Sequence, residues 1–136
     1  MNEKSTETLS VTVEREIAHP PEKVWRALTQ PHLIEEWLMK NNFSPVIGSH
    51  FSLSADWGGL DCQVLEVEAN KKLAYTWNGK GLESVVTWTL TPSNGGTHLR
   101  MEQVGFQPDQ RRAYQGATAG WPRFFAAMEQ LLTRVD

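Results

Sequence analysis

The feature that most constrains this chain is a series of five short stretches between residues 50 and 106 in which apolar and polar residues alternate. A period of two is typical of strands with one buried face. Turns containing Gly, Asn and Lys separate the stretches, and Asn94-Gly95-Gly96 is a strong hairpin signal. Because such short connections join antiparallel neighbours, we predict an antiparallel sheet.

The N-terminal part adds one strand and two short helices. The stretch LSVTVEREI, residues 9–17, alternates with Leu9 on its apolar face, and Arg15 falls on the same face as a polar misfit. Pro21 then suits the first turn of a helix, and Pro31 restarts the chain into a second one. We therefore expect one strand followed by two short helices.

The chain ends in a helical segment that contains GWPRFFAAMEQLL, residues 120–132. Pro122 lacks an N–H group, which predicts either a kink near Gly120 or two helical pieces over residues 108–119 and 122–135. Large apolar residues share one face of the segment. They are Trp121, Phe124, Phe125, Met128, Leu131 and Leu132.

Together these elements predict an α+β fold, in which a six-stranded curved antiparallel sheet wraps around a long C-terminal helix. Two short helices follow the first strand and would close one end, while a gap remains at the mouth of the sheet. A chain of 136 residues suits one domain, which we place at residues 9–136. The polar residues 1–8 are expected to form a flexible arm.

Composition and charge argue against several classes of function. The formal net charge is -3, which disfavours binding to a nucleic-acid backbone. No apolar run approaches the ~20 residues that span a membrane, and the N-terminus lacks the apolar stretch of a signal peptide. We therefore expect a cytoplasmic protein that binds neither nucleic acid nor membrane. The single cysteine, Cys62, excludes an internal disulfide and is expected to be a small buried apolar residue.

Four stretches of the sequence are similar to a known superfamily, in the same order. They are HPPEKVWRALTQPHLIEEW (19–37), VLEVEANKKLAYTW (64–77), LESVVTWTLTPSNGGTHLRMEQVGF (82–106) and GWPRFFAAMEQLL (120–132). The chain resembles the START-like superfamily, also called SRPBCC or Bet v-like, which has the helix-grip fold. Within it, the chain is most similar to the branch of heat-shock-protein-90 ATPase activator homologues.

The resemblance implies three kinds of function. Members of the superfamily bind apolar ligands, carry out cyclase-type chemistry, or dock to a chaperone. By this resemblance the chaperone activators of the branch look like two-domain proteins, whereas we expect this chain to contain the helix-grip domain alone.

A set of aromatic and polar residues is our candidate for a ligand-binding cavity. Each aromatic residue taken alone is expected to be a core residue, but large rings on both the sheet and the helix hold these elements apart. The flexible side chain of methionine adapts to an irregular cavity, for which roughly 300–1,000 Å³ is typical. The candidates are Trp37, Phe51, Trp57, Tyr75, Trp77, Trp88, Met101, Gln103, Trp121, Phe124, Phe125, Met128 and Arg15.

Two polar members of this set have alternative roles. Arg15 would pair with a carboxylate if it is buried, twist out to solvent through a bulge, or orient the carboxylate of a ligand. Gln103 would hydrogen-bond either a ligand or a backbone group.

We predict no catalytic residues, metal or cofactor. The histidines, His19, His32, His50 and His98, lack the spacing of a metal site, and no acid–base pair stands out. The first hypothesis is therefore the binding of a small hydrophobic or aromatic ligand between the sheet and the C-terminal helix. The alternatives are a cyclase- or hydrolase-type cavity enzyme and a chaperone-docking module, and a homodimer is left open.

Overall fold

The computed structural model describes residues 8–136, so the predicted flexible arm lies, except for Thr8, outside the described residues. The elements follow the predicted order, with one strand more than predicted. They are β1 (Leu9–Ile17), α1 (Pro21–Thr29), α2 (Pro31–Trp37), β2 (Lys40–Asn41), β3 (His50–Ala55), β4 (Gly58–Glu68), β5 (Lys72–Gly79), β6 (Leu82–Ser93), β7 (Gly96–Phe106) and α3 (Arg111–Arg134). The predicted α+β fold with a curved antiparallel sheet is confirmed.

The sheet has seven strands rather than six, in the order β1-β7-β6-β5-β4-β3-β2. The additional strand is β2, where Lys40 pairs with Ser54 and Asn41 with Leu53. A two-residue strand is too short to show an alternating pattern, so only its pairing with β3 reveals it. All neighbouring strands are antiparallel, as the short turns predict.

Two register shifts interrupt the alternation of buried and exposed residues. Between Leu9 and Ser10 the pairing with β7 shifts, and Leu9 is 43% exposed although the sequence pattern places it on the buried face. A second shift in β4, between Val64 and Glu66, leaves Leu65 exposed. An extra residue in one strand disrupts the ladder locally, so the period-two pattern misassigns residues beside a bulge.

The two short helices begin at prolines, as predicted. Proline at the first helical position has no N–H group to leave unpaired, and its fixed φ angle suits the helix. The Trp37 Nε1–H group donates to the carbonyl oxygen of Ala27 at 2.8 Å, which ties α2 to α1. Val24 and Leu28 of α1 are buried in the core.

The C-terminal segment is one continuous helix of 24 residues that runs through Pro122, so the alternative of two helical pieces is wrong. An internal proline costs about 3 kcal/mol because it removes one helical hydrogen bond and crowds the preceding turn. The C-terminal half of α3 offsets this cost by burial, since its large apolar side chains face the sheet. These buried residues are Trp121, Phe125, Met128, Leu131 and Leu132.

The core lies between α3 and the inner face of the sheet, and Trp88 on β6 is at its centre. Its ring centroid lies 5.7 Å from that of Trp121 and 5.6 Å from that of Phe125, both on α3. On the other side it meets Trp37 edge to face at 5.6 Å. These contacts hold the C-terminal half of α3 firmly against the sheet.

Candidate functional site

A cavity of about 810 Å³ lies beside this core, between the N-terminal half of α3 and strands β4 to β7. Its volume is within the range of roughly 300–1,000 Å³ that is typical of small-molecule sites. Most of its wall is apolar. The apolar side chains are Met39, Trp57, Leu60, Trp77, Leu82, Phe106, Ala113, Ala117, Trp121 and Phe124.

The cavity exists because α3 changes character along its length. Its C-terminal half fills the core with large side chains, whereas the N-terminal half faces the cavity with Ala113, Gly116, Ala117 and Gly120. A Cβ atom added at Gly116 or Gly120 would meet nothing within 4 Å outside the local helix backbone. Small residues on this face of the helix therefore leave the space beside the sheet unfilled.

Aromatic rings form the inner wall of the cavity. Trp77 on β5 and Trp121 on α3 have ring centroids 5.2 Å apart, and Phe124 meets Trp121 edge to face at 5.4 Å. Trp57, in the turn between β3 and β4, is 51% exposed at the outer end of the wall. An aromatic ligand would thus meet ring faces and edges along its length.

Gln103 is the polar side chain of the inner wall and is only 1% exposed. Its Oε1 atom accepts a hydrogen bond from Trp121 Nε1 at 2.7 Å, and its Nε2 atom donates to Ser84 Oγ at 3.0 Å. Ser84 Oγ in turn donates to the carbonyl oxygen of Trp77 at 2.7 Å. The sequence analysis expected Gln103 to hydrogen-bond either a ligand or a backbone group, whereas its partners are two side chains. This chain of hydrogen bonds positions Trp121 against Trp77.

The mouth of the cavity carries charged residues from two segments. Lys80, in the turn between β5 and β6, donates from Nζ to the carbonyl oxygen of Trp57 at 3.1 Å and lies 5.6 Å from the centre of that ring. Arg111 and Arg112 begin α3, and Asp109 lies in the turn just before it. These residues are all exposed, so the cavity opens to solvent on this side.

Five of the predicted site residues line this cavity: Trp57, Trp77, Gln103, Trp121 and Phe124. Seven others lie in the core without lining the cavity. They are Trp37, Phe51, Tyr75, Trp88, Met101, Phe125 and Met128. The apolar pattern marks all twelve as inward-facing, but it does not distinguish a side chain packed against other side chains from one that faces empty space.

Arg15 also lies outside the cavity lining, and in the described part of the chain it does not pair with a carboxylate, which was the first of its predicted alternatives. Its guanidinium carbon lies 5.7 Å from the ring centre of Phe125, and NH1 donates to the carbonyl oxygen of Glu14 at 3.1 Å. Among residues 8–136, no carboxylate lies within 4.0 Å of its charged nitrogens. The half-buried side chain is therefore stabilised by an aromatic ring rather than by an ion pair.

The structure adds lining residues that the sequence analysis missed. Met39, Leu60 and Leu82 complete the apolar wall, and residues 109–112 complete the mouth. The lining also includes two glycines of α3, Gly116 and Gly120. The sequence could have revealed these two residues. Isolated glycine inside a helical pattern is costly and often has a packing or functional reason.

Within residues 8–136, two ionisable side chains of the core, Cys62 and Tyr75, lie outside the cavity lining. Burial raises the pKa of the Cys62 thiol to about 12, and burial also raises the pKa of the Tyr75 hydroxyl. Tyr75 accepts a hydrogen bond from Trp88 Nε1 at 3.0 Å, and neither Cys62 nor Tyr75 lines the cavity. Within the described part of the chain, no group of three or more His, Cys, Asp or Glu residues could hold a metal ion.

An exposed charge cluster lies on the opposite, outer face of the sheet. His98 on β7 contacts Glu16 through Nδ1 and Glu14 through Nε2, the latter at 2.7 Å. The hydrogen bond to Glu16, followed by that to Glu14, raises the pKa of His98, and the same hydrogen bond lowers the pKa of Glu16. Arg100 lies 4.0 Å from Glu14 and 3.5 Å from Glu102. This cluster stabilises the pairing of β1 with β7 and is remote from the cavity.

The sheet, the gripped C-terminal helix and the cavity beside it define a START-like, helix-grip domain. The family described as Activator of Hsp90 ATPase homolog 1-like protein matches residues 18–133. The chain belongs to this family. No curated protein matches the sequence. None of the helices in residues 8–136 is long and apolar enough to cross a membrane.

Solved structures resemble the chain over almost its whole length. A crystal structure of the protein MLL2253 from Mesorhizobium loti is 66% identical, with a TM-score of 0.91; the match covers 94% of this chain and 99% of that one. DynU16, a protein in the dynemicin biosynthetic locus, is 26% identical with a TM-score of 0.83, over 91% of this chain and 47% of that chain.

The solution structure of the Aha1 dimer from Colwellia psychrerythraea is 19% identical with a TM-score of 0.82, covering 91% of this chain and 96% of that one. At this level of identity the similarity shows the fold alone.

Proposed function

We propose that this protein binds a small hydrophobic ligand with an aromatic or alkyl body in the cavity between α3 and the sheet. The observation that carries the proposal is the 810 Å³ cavity with its wall of aromatic side chains. A fold that packed only for stability would bury this apolar wall, because removing apolar surface from water is favourable.

The cost of keeping the cavity open is visible in α3. Glycine inside a helix destabilises it by about 0.8–1.0 kcal/mol relative to alanine. Gly116 and Gly120 both line the cavity, and open space lies beside each of them. The chain thus has two unfavourable residues at the positions where a larger side chain would narrow the site.

The polar groups favour binding over catalysis. General acid–base chemistry needs an ionisable group near the reacting atoms. The inner wall offers Gln103, which is neutral and already hydrogen-bonded to Trp121 and Ser84. The charged residues of the lining, Lys80, Asp109, Arg111 and Arg112, lie at the mouth, where solvent reaches them.

A titration with N-phenyl-1-naphthylamine, a neutral apolar fluorophore, tests the proposal. We expect the emission of the fluorophore to rise on binding. The bound fluorophore should also quench the fluorescence of the nearby tryptophans. Gly116→Leu should weaken binding of the fluorophore, because the new side chain occupies part of the cavity and leucine suits a helix.

Ala119→Leu is the matched control. Ala119 is an exposed residue of the same helix that does not line the cavity, so this variant should bind as the wild type does. Both variants should stay folded, as judged by circular dichroism. Equal binding to the wild type and to Gly116→Leu would refute the proposal, since the fluorophore would then bind elsewhere.

A further inference from the structure

We infer that the ligand is an amphiphile, in which an oxyanion head group such as a carboxylate lies at the cavity mouth between Lys80 and the first arginines of α3. This inference rests on the proposed function, because it assumes that the apolar body of the ligand occupies the cavity. It adds the chemical class of the head group and the direction in which the ligand enters.

The mouth of the cavity carries more basic than acidic residues, in contrast to the chain as a whole. The whole chain has more acidic than basic residues, 16 against 13. At the mouth the balance is reversed, since Lys80, Arg111 and Arg112 face a single acid, Asp109. In residues 8–136, no carboxylate lies within 4.0 Å of the charged nitrogens of these three cations. They are therefore available to a negatively charged group.

The backbone at Lys80 has a conformation that lysine rarely adopts. Lys80 and Gly81 form a two-residue hairpin turn with φ angles of 52° and 85°. Such turns favour Asn followed by Gly, because the first position also needs a positive φ angle. The turn between β6 and β7 follows this preference, with Asn94 at 52° and Gly95 at 81°. Lysine therefore has a higher backbone conformational energy at this turn than asparagine would have. Its side chain supplies a cation to the mouth.

A pair of hydrogen bonds brings the cations of the two segments to one side of the mouth. Gln110 Nε2 donates to the carbonyl oxygen of Gly81 at 3.0 Å, which joins the start of α3 to the hairpin turn. Gln110 Oε1 accepts from the backbone N–H of Gln107 at 2.8 Å, so both ends of this side chain are fixed. The first turn of α3 contains no acidic residue, and the positive end of its dipole adds to the field of the side chains.

The arrangement sets the orientation of the ligand. Its apolar body would lie against Trp77, Trp121 and Phe124 in the interior, where an unpaired charge would be costly. Its head group would stay at the solvent-exposed mouth, where Lys80 is held over the half-exposed ring of Trp57. The ligand would therefore enter with its apolar end first.

The test compares matched probes that differ only in the head group. Calorimetric titrations at pH 7 would use anthracene-9-carboxylate against 9-anthracenemethanol, and decanoate against decanol. We expect the acids to bind roughly five- to tenfold more tightly than the alcohols, the size that a few exposed charge contacts provide together.

Two variants locate the effect. Lys80→Asn removes the cation and places a preferred residue in the turn, so it should fold at least as stably while losing most of the preference for the acids. Arg112→Gln should weaken acid binding, whereas Arg123→Gln should not, because Arg123 is an exposed residue of the same helix outside the lining.

The outcomes separate the two proposals. Equal affinities for acid and alcohol would overturn the head-group inference and leave the proposed function standing. A preference for acids that survives both Lys80→Asn and Arg112→Gln would also overturn it. If neither member of either pair binds, the proposed function itself fails, and the inference fails with it.

Discussion

The glycines of α3 allow a prediction whose size follows from the structure. Gly116 and Gly120 are helical residues, and a Cβ atom at either position would meet nothing within 4 Å outside the local helix backbone. Changing glycine to alanine inside a helix gains about 0.8–1.0 kcal/mol when nothing opposes the methyl group. The double variant Gly116→Ala/Gly120→Ala should therefore gain roughly 1.5–2 kcal/mol in the free energy of unfolding.

For a domain of this size, that gain corresponds to a rise in Tm of roughly 5–8 °C, which calorimetry or thermal circular dichroism would measure. Gly105→Ala is the matched control, a glycine-to-alanine change that should lower stability instead of raising it. Its φ angle is 119°, and a Cβ atom there would lie 2.6 Å from the carbonyl oxygen of Glu83. This variant should lose stability.

A double alanine variant that is no more stable than the wild type would refute the reasoning. It would mean that the space beside the glycines is not open, or that the N-terminal half of α3 is not helical in solution. If the gain is found, the chain carries a helix weaker than it needs to be at the residues that border the cavity. Such a trade of stability for function is common at binding sites.

Two further predictions concern hydrogen bonds in the interior and on the outer face. Gln103→Leu should cost roughly 1–3 kcal/mol in urea denaturation, because it leaves the buried Trp121 N–H unpaired. The double variant Gln103→Leu/Trp121→Phe should lose less stability than the sum of the losses in the two single variants. Losses that simply add would argue against the hydrogen bond. His98 should titrate by NMR with a pKa above 6.5 that falls in Glu16→Gln. Because the folded pKa of His98 is raised, its stabilising contribution is complete below the unfolded pKa of about 6.5 and is lost as the pH rises through the folded pKa. If the stability of Glu16→Gln depends on pH in the same way as that of the wild type, the raised pKa of His98 does not contribute to stability through Glu16.

Local patterns determined most of the architecture. Alternating residues, hairpin turns and helix-starting prolines predicted six of the seven strands, both short helices and the C-terminal helix, because these features depend on periods of two and 3.6 residues. The pattern failed where a tertiary contact decides the outcome. Strand β2 exists only through its pairing with β3. Pro122 is accommodated because Trp121 and Phe125 pack into the core on that part of α3.

The candidate site divides in the same way. The sequence by itself predicted which faces of the strands and of α3 are apolar, and five of its candidate site residues line the cavity: Trp57, Trp77, Gln103, Trp121 and Phe124. Only the tertiary structure decided which inward side chains border empty space, because that depends on the size of the side chains on the facing element. Large side chains of α3 fill the space beside Trp88, whereas small ones leave it open beside Trp77. The charged mouth also needed the fold, since the hairpin turn and the start of α3 lie far apart in sequence and meet through Gln110 and Gly81.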